Sequence, residues 1–169
     1  ASKNSDTPYV ASTRVSYKYE TDIEGLIRVI SRDYAKTQGT SATSGVLSVK
    51  ATDGPLAVAS RTRTSIVGAG VTTQTVRLIL DISNTGGGRT FKVEETSPTS
   101  TNVDWIKIDS TSSNIVCGTA TDYKLISGLK TLTCTITLQT GEIPTTYTDI
   151  PFKVKITYRY FVTASTSVT

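Results

Sequence analysis

The 169-residue chain has no histidine, no methionine, one tryptophan and two cysteines. Without an imidazole there is no Ser-His-Asp or Cys-His catalysis, no His-ligated zinc and no titration switch near neutral pH. The cysteines, Cys117 and Cys134, form no Cys-x-x-Cys pair and have no other soft ligand for company, which disfavours a metal site. No metal and no cofactor is expected. Long apolar runs are missing too. The stretch 76–80 is broken by Arg77 and falls far below the ~20 residues of a membrane helix. Runs of like charge are absent: the formal net charge of +4 and pI near 9.1 come from scattered Lys and Arg. With only three Phe and one Trp beside eight Tyr, a stacking surface for nucleic acid is not expected. The scarcity of Asn and Gln, together with the missing Met, matches the depletion seen in thermophiles.

What the chain has in excess is Ser and Thr, about 30% of its residues, with Thr alone about 19%, far above average usage. The dominant apolar period is two, the signature of strands. From Tyr9 to Tyr19 one face reads Tyr9, Ala11, Thr13, Val15, Tyr17, Tyr19 and the other Val10, Ser12, Arg14, Ser16, Lys18, which predicts a half-buried strand. Residues 74–84 repeat the pattern, with Val76, Leu78, Leu80 and Ile82 inward and Arg77, Ile79, Asp81 and Ser83 outward. Residues 130–139 place Leu132, Cys134, Ile136 and Leu138 opposite Thr131, Thr133, Thr135 and Thr137. β-Branched Thr suits a pleated face that must stay wet, so fold explains part of the Thr excess. The longest alternation, 150–163, sets Phe152, Val154, Ile156, Tyr158 and Tyr160 against Lys153, Lys155, Thr157 and Arg159.

Shorter strands are predicted at 46–50, 55–61, 64–67, 89–94, 103–108 and 165–169. Turn chemistry separates them at Asp53-Gly54-Pro55, Gly68-Ala69-Gly70, Asn84-Thr85-Gly86-Gly87-Gly88, Ser127-Gly128 and 141–144. Such spacing points to an all-β, antiparallel sandwich. Residues 22–36 read two ways. Ile23, Leu26, Ile27, Ile30 and Tyr34 have helical spacing after Thr21 or Asp22. The match between 15–19 (Val-Ser-Tyr-Lys-Tyr) and 156–160 (Ile-Thr-Tyr-Arg-Tyr) favours a strand at 26–30 instead, as the one that follows each copy of a repeat.

The cysteines are a structural disulfide or two buried thiols; an even count in a Thr-rich, His-free chain suits the disulfide and an oxidising exterior. Among residues that could carry chemistry, Glu94, Asp104 and Asp109 could serve a carboxylate-based hydrolase. Scattered surface acids explain them equally. Trp105 reads as a core tryptophan rather than a sugar platform. The Gly-rich run 86–88 precedes a strand pattern, so it reads as a hairpin turn or bulge, not a phosphate loop. Lys153, Lys155 and Arg159 form a basic row, either a solvated face or a patch for an acidic cell-surface polymer or the next subunit.

The repeat implies a division into a strand-bearing extension, 1–45, and a sandwich, 46–169. An extension with unpaired edges must dock on its own sheet or on a neighbour's, and donation to a neighbour generates a fibre. The runs Gly54-Pro55-Leu56-Ala57-Val58 and Val76 through Gly88, the pair Cys117 and Cys134, and Ile150-Pro151-Phe152 leading to Tyr158-Arg159-Tyr160 resemble immunoglobulin-like domains of archaeal secreted surface proteins, over roughly 50–169. The resemblance implies an immunoglobulin-like sandwich in a non-enzymatic surface or filament subunit, extracellular, with copies of itself as partner. The expectation is a filament or pilus subunit joined head to tail by donor-strand complementation, with Tyr9, Ala11, Thr13, Val15, Tyr17 and Tyr19 as the interface strand. A monomeric adhesion module is the alternative, ahead of a viral structural protein or a hydrolase. No Asn-x-Ser/Thr sequon is present, so any glycan would be O-linked.

Overall fold

The computed structural model describes residues 9–68, 72–110 and 112–168. The expected turn at Ala69-Gly70 and the end of the expected strand at Thr169 lie outside them. Among the described residues eleven strands form two sheets. The first strand, β1 (Tyr9–Ser31), is followed by a short helix α1 (Arg32–Gln38) and a 3-10 turn, Gly39–Ser41. Then come β2 (Gly45–Ala51), β3 (Leu56–Thr64), β4 (Ile66–Val67), β5 (Thr73–Asn84) and β6 (Arg89–Phe91). The chain ends with β7 (Trp105–Ser110), β8 (Ile115–Cys117), β9 (Asp122–Lys124), β10 (Leu129–Gln139) and β11 (Tyr147–Val168).

One sheet has the order β2-β1-β11-β7-β9, with β4 added to β1 and β6 to β11; the other is β3-β5-β10-β8. Apart from the short β4–β1 pair, the ladders are antiparallel. The fold is therefore an all-β antiparallel sandwich. Its core lies where the alternation predicts: Val76, Leu78, Leu80, Ile82, Leu132, Cys134, Ile136 and Leu138 meet Ile23, Ile27, Phe152, Val154, Ile156 and Tyr158 from the facing sheet. Burying a side chain of this size contributes about 1.5–3 kcal/mol. Ile79 departs from its expected outward exposure because Arg61 and Thr133 flank it in register on both sides and cover it.

The structure resolves the ambiguity at 22–36 by giving each reading a part. β1 runs unbroken to Ser31, which then caps α1 by accepting from the Tyr34 amide at 3.1 Å and anchors it by donating to the Thr145 carbonyl at 2.6 Å. The repeat has a different meaning from the one expected. Its two copies are partners, with Tyr17 opposite Tyr160, Lys18 opposite Arg159 and Tyr19 opposite Tyr158. Likewise, β11 continues through 163–165 without a break, so the separate strand expected at 165–169 is its distal end.

The expected extension, 1–45, is split. Its residues 23–29 supply Ile23, Ile27 and Val29 to the common core from a central strand, while residues 9–18 leave the sandwich. The half-burial expected of 9–19 is not observed: residues 9–18 are exposed on both faces, because no second layer extends over them. Gly25 faces inward opposite Phe152, whose ring occupies the space a side chain at 25 would take. Cys117 and Cys134 form a disulfide between directly paired positions of β8 and β10. Among the described residues no helix is long and apolar enough to cross a membrane.

Candidate functional site: a projecting two-stranded ribbon

β1 and β11 pair along their whole length, from Tyr9 opposite Val168 to Ile30 opposite Tyr147. The inner rungs belong to the sandwich. The outer ten, Tyr9–Val168 through Lys18–Arg159, form a ribbon about 33 Å long at the usual rise per residue. β2 joins β1 only from Ile23 onward, and β6 joins β11 only at 159–161. The β1 edge of the ribbon throughout, and its β11 edge beyond Phe161, therefore present backbone groups with no strand beside them among the described residues, a template for another strand.

The two faces differ. One carries Ala11, Thr13, Val15 and Tyr17 opposite Thr166, Ala164, Val162 and Tyr160, with Tyr9 at its outer end; the other carries Val10, Ser12, Arg14, Ser16 and Lys18 opposite Ser167, Ser165, Thr163, Phe161 and Arg159. Tyr9 is 74% exposed, Val10 73% and Val15 59%. Between the large side chains, Ala11, Thr13, Ala164 and Thr166 line a shallow saddle. On the second face the Arg14 guanidinium stands 5.1 Å over the Phe161 ring.

A tyrosine cluster fixes the ribbon to the sandwich. Tyr17 lies 5.1 Å from Tyr19 and 6.0 Å from Tyr160, and Tyr19 stacks on Tyr158 at 5.8 Å. The Tyr158 hydroxyl is 3.2 Å from the Thr21 hydroxyl, and Gly88 N–H donates to the Tyr160 hydroxyl at 2.6 Å. Burial pushes the Tyr158 phenol up to about 12, against the opposing effect of its hydrogen bond to Thr21. The Gly-rich run thus serves this anchor. It bridges the two sheets, from β5 to β6, rather than forming a hairpin, and Asn84 closes it by donating to the Gly88 carbonyl and accepting from the Gly86 amide.

The other singled-out residues are dispersed. Lys155 donates to Glu20 at 3.1 Å, Lys153 pairs with Glu24, and Arg159 donates to the Val93 carbonyl at 3.2 Å. Hydrogen bonds from Lys155 and Lys18 hold Glu20 below the usual carboxylate range, and Lys153 does the same for Glu24. The basic row is thus largely neutralised by acids on the neighbouring strand. Asp104 is gripped by Arg89 and Glu94 by Lys107, while Asp109 lies in register opposite Lys155, whose ammonium is engaged by Glu20. Trp105 is not the expected core tryptophan. It is half-buried, donates to the Thr101 carbonyl at 3.2 Å and lies 4.7 Å beneath the Lys92 ammonium. Asp104, at a φ of 64°, breaks the alternation just before it, so that Ile106 and Ile108 take the inward positions.

The sequence marked the strand Tyr9–Tyr19 but not its partner. That 159–168 would be the other half of the ribbon was signalled only by the pairing of two Tyr-x-Tyr motifs. No protein-family model, no curated protein and no solved structure matches the chain.

Proposed function

We propose that this protein is a non-enzymatic structural subunit of an extracellular filament or pilus, which assembles head to tail by strand complementation with copies of itself. The observation that carries this reading is the projecting ribbon: two open edges and an exposed apolar row are costly to leave in water and unsafe to leave unpaired. The interface strand is Tyr9 to Tyr19, as the sequence suggested, with a change in how it acts. It is already held by β11 of its own chain through ten rungs. The ribbon is therefore presented as a unit, and its free β1 edge is the donated surface. The disulfide supports an oxidising, extracellular setting, and the likeness to archaeal immunoglobulin-like surface domains belongs to the same proposal.

The cis pairing also favours a second reading, a monomeric adhesion module that displays the ribbon. Removing residues 1–18 separates the two. On the first reading the sandwich stays folded by circular dichroism and no filaments appear by electron microscopy. Filaments unchanged by the deletion would reject it, and an intact protein that remains at 18.1 kDa by light scattering at every concentration would favour the second reading.

A further inference from the structure

We propose that the ribbon of one copy is received in a vacant strand position of the next, beside residues 147–152 of β11; this rests on the filament reading above. β11 is paired on its β1 side throughout, but its other side is occupied only at 154–157 by β7 and at 159–161 by β6. From Tyr147 to Phe152 no described strand lies there. The space is a cleft of largely polar lining, with Asn114 and Thr145 to Thr148 beside the apolar Leu138, Ile143 and Ile150. Pro151 falls in this stretch and has no N–H to offer, so an incoming strand would pair with the backbone groups on either side of it.

The occupant follows from direction. The cleft and the ribbon are opposite ends of one strand, β11, which runs from 147–152 to 159–168. They point apart, so a chain cannot fill its own cleft with its own ribbon. A second copy displaced along the ribbon axis without rotation brings its cleft to the ribbon. Its β11 then lies antiparallel to the incoming β1, the sense in which these strands already pair within a chain.

Side-chain chemistry agrees. Ala11, Thr13 and Val15 share the face that continues into the core, and they are small enough to lie over Leu138 and Ile150. Arg14, on the opposite face, comes to the outer side of β11, where Arg28 already holds Asp149 through two hydrogen bonds of 2.7 Å, so Arg14 would join an existing pair rather than meet a bare carboxylate. The two ribbon segments, 9–18 and 159–168, contain Arg14, Lys18 and Arg159 and no carboxylate, whereas the cleft is bordered by Glu142 and by Asp149, the latter paired with Arg28.

The test is cysteine cross-linking in the full chain, whose two native cysteines are already joined to each other. Thr13→Cys combined with Thr148→Cys should give a covalent ladder of multimers on mild oxidation of filaments. Thr13→Cys with Leu47→Cys, on the free edge of β2 at the far side of the same sheet, should give none. As a second variant, Ile143→Arg should lower filament mass at least tenfold while near-ultraviolet circular dichroism stays unchanged. Filaments that ladder only through Leu47→Cys, or that form normally with Ile143→Arg, overturn the cleft and leave the filament reading standing. A parent protein that never forms filaments overturns both.

Discussion

Gly25→Ala is expected to destabilise the protein, against the usual sign. In a strand interior, alanine ordinarily gains roughly 0.5–1 kcal/mol over glycine through lost unfolded-state freedom. Here a Cβ at position 25 would stand 2.6 Å from the Phe152 ring and closer still to the Ser48 carbonyl oxygen. The ring is 3% exposed and belongs to the core, and Ser48 is bound into the ladder opposite Leu26. Neither can withdraw without shifting a strand. Overpacking of this type costs about 1–3 kcal/mol, and with backbone on one side we take about 3 kcal/mol. For a chain of this length that lowers Tm by about 6–12 °C. At a urea m-value of about 2 kcal/mol/M it moves the midpoint down by about 1.5 M. Shortening the ring relieves half of the clash, so Gly25→Ala with Phe152→Leu should be less destabilised than the sum of the single changes by about 1 kcal/mol or more. Equilibrium urea unfolding followed by circular dichroism measures all four corners. A Gly25→Ala midpoint at or above the parent's, or strict additivity, would refute the packing argument.

Four further outcomes follow from the geometry. Val15→Asp, on the exposed ribbon, should change Tm by less than about 2 °C, since exposed substitutions are usually within ±0.5 kcal/mol, and yet abolish filaments seen by electron microscopy. Because the Tyr158 phenol is pushed up to about 12 in the fold, it supports stability fully below its ordinary value of 10 and withdraws that support as pH rises towards 12; Tyr158→Phe should flatten this alkaline loss in pH-dependent melting curves. The carboxyls of Glu20, Glu24, Glu94 and Asp149, all held low, act in the opposite direction. Their contribution is present above the usual carboxylate range and lost as pH falls below about 4, with the loss smaller in high salt. Replacing Cys117 and Cys134 by alanine should cost about 3 kcal/mol through loop closure, read as a lower Tm than the oxidised parent's.

The sandwich was largely legible because alternation and burial coincide in β5, β10 and the inner half of β11. Val76, Leu78, Leu80 and Ile82 could not face water together, so their strand had to face another layer. Alternation does not reveal where that layer stops. Tyr9, Ala11, Thr13 and Val15 keep the same period as Ile23 and Ile27, although nothing described packs over them, and no glycine or proline between Lys18 and Ile23 marks the exit from the sandwich. β8 and β9, three residues each, are too short for a period to register. Trp105 was misplaced because a left-handed residue before it resets the phase, and Asp104 gives no warning of that beyond its type. The cleft beside β11 is a property of where β7 ends, a length that a single strand's sequence does not encode.

The pairing of the first strand with the last also governs the order in which the molecule can form. Thr21 and Tyr158, which meet beside the tyrosine cluster, are 137 residues apart in the chain. The central pair of the larger sheet is thus unavailable until the residues of β11 have been synthesised. The smaller sheet is less constrained, because β5 needs only β3 before it and β10 after it. Closing a long loop is entropically slow, so β1 spends synthesis without its partner. The ribbon, made of the first and last strands, is therefore among the last parts of the fold to form.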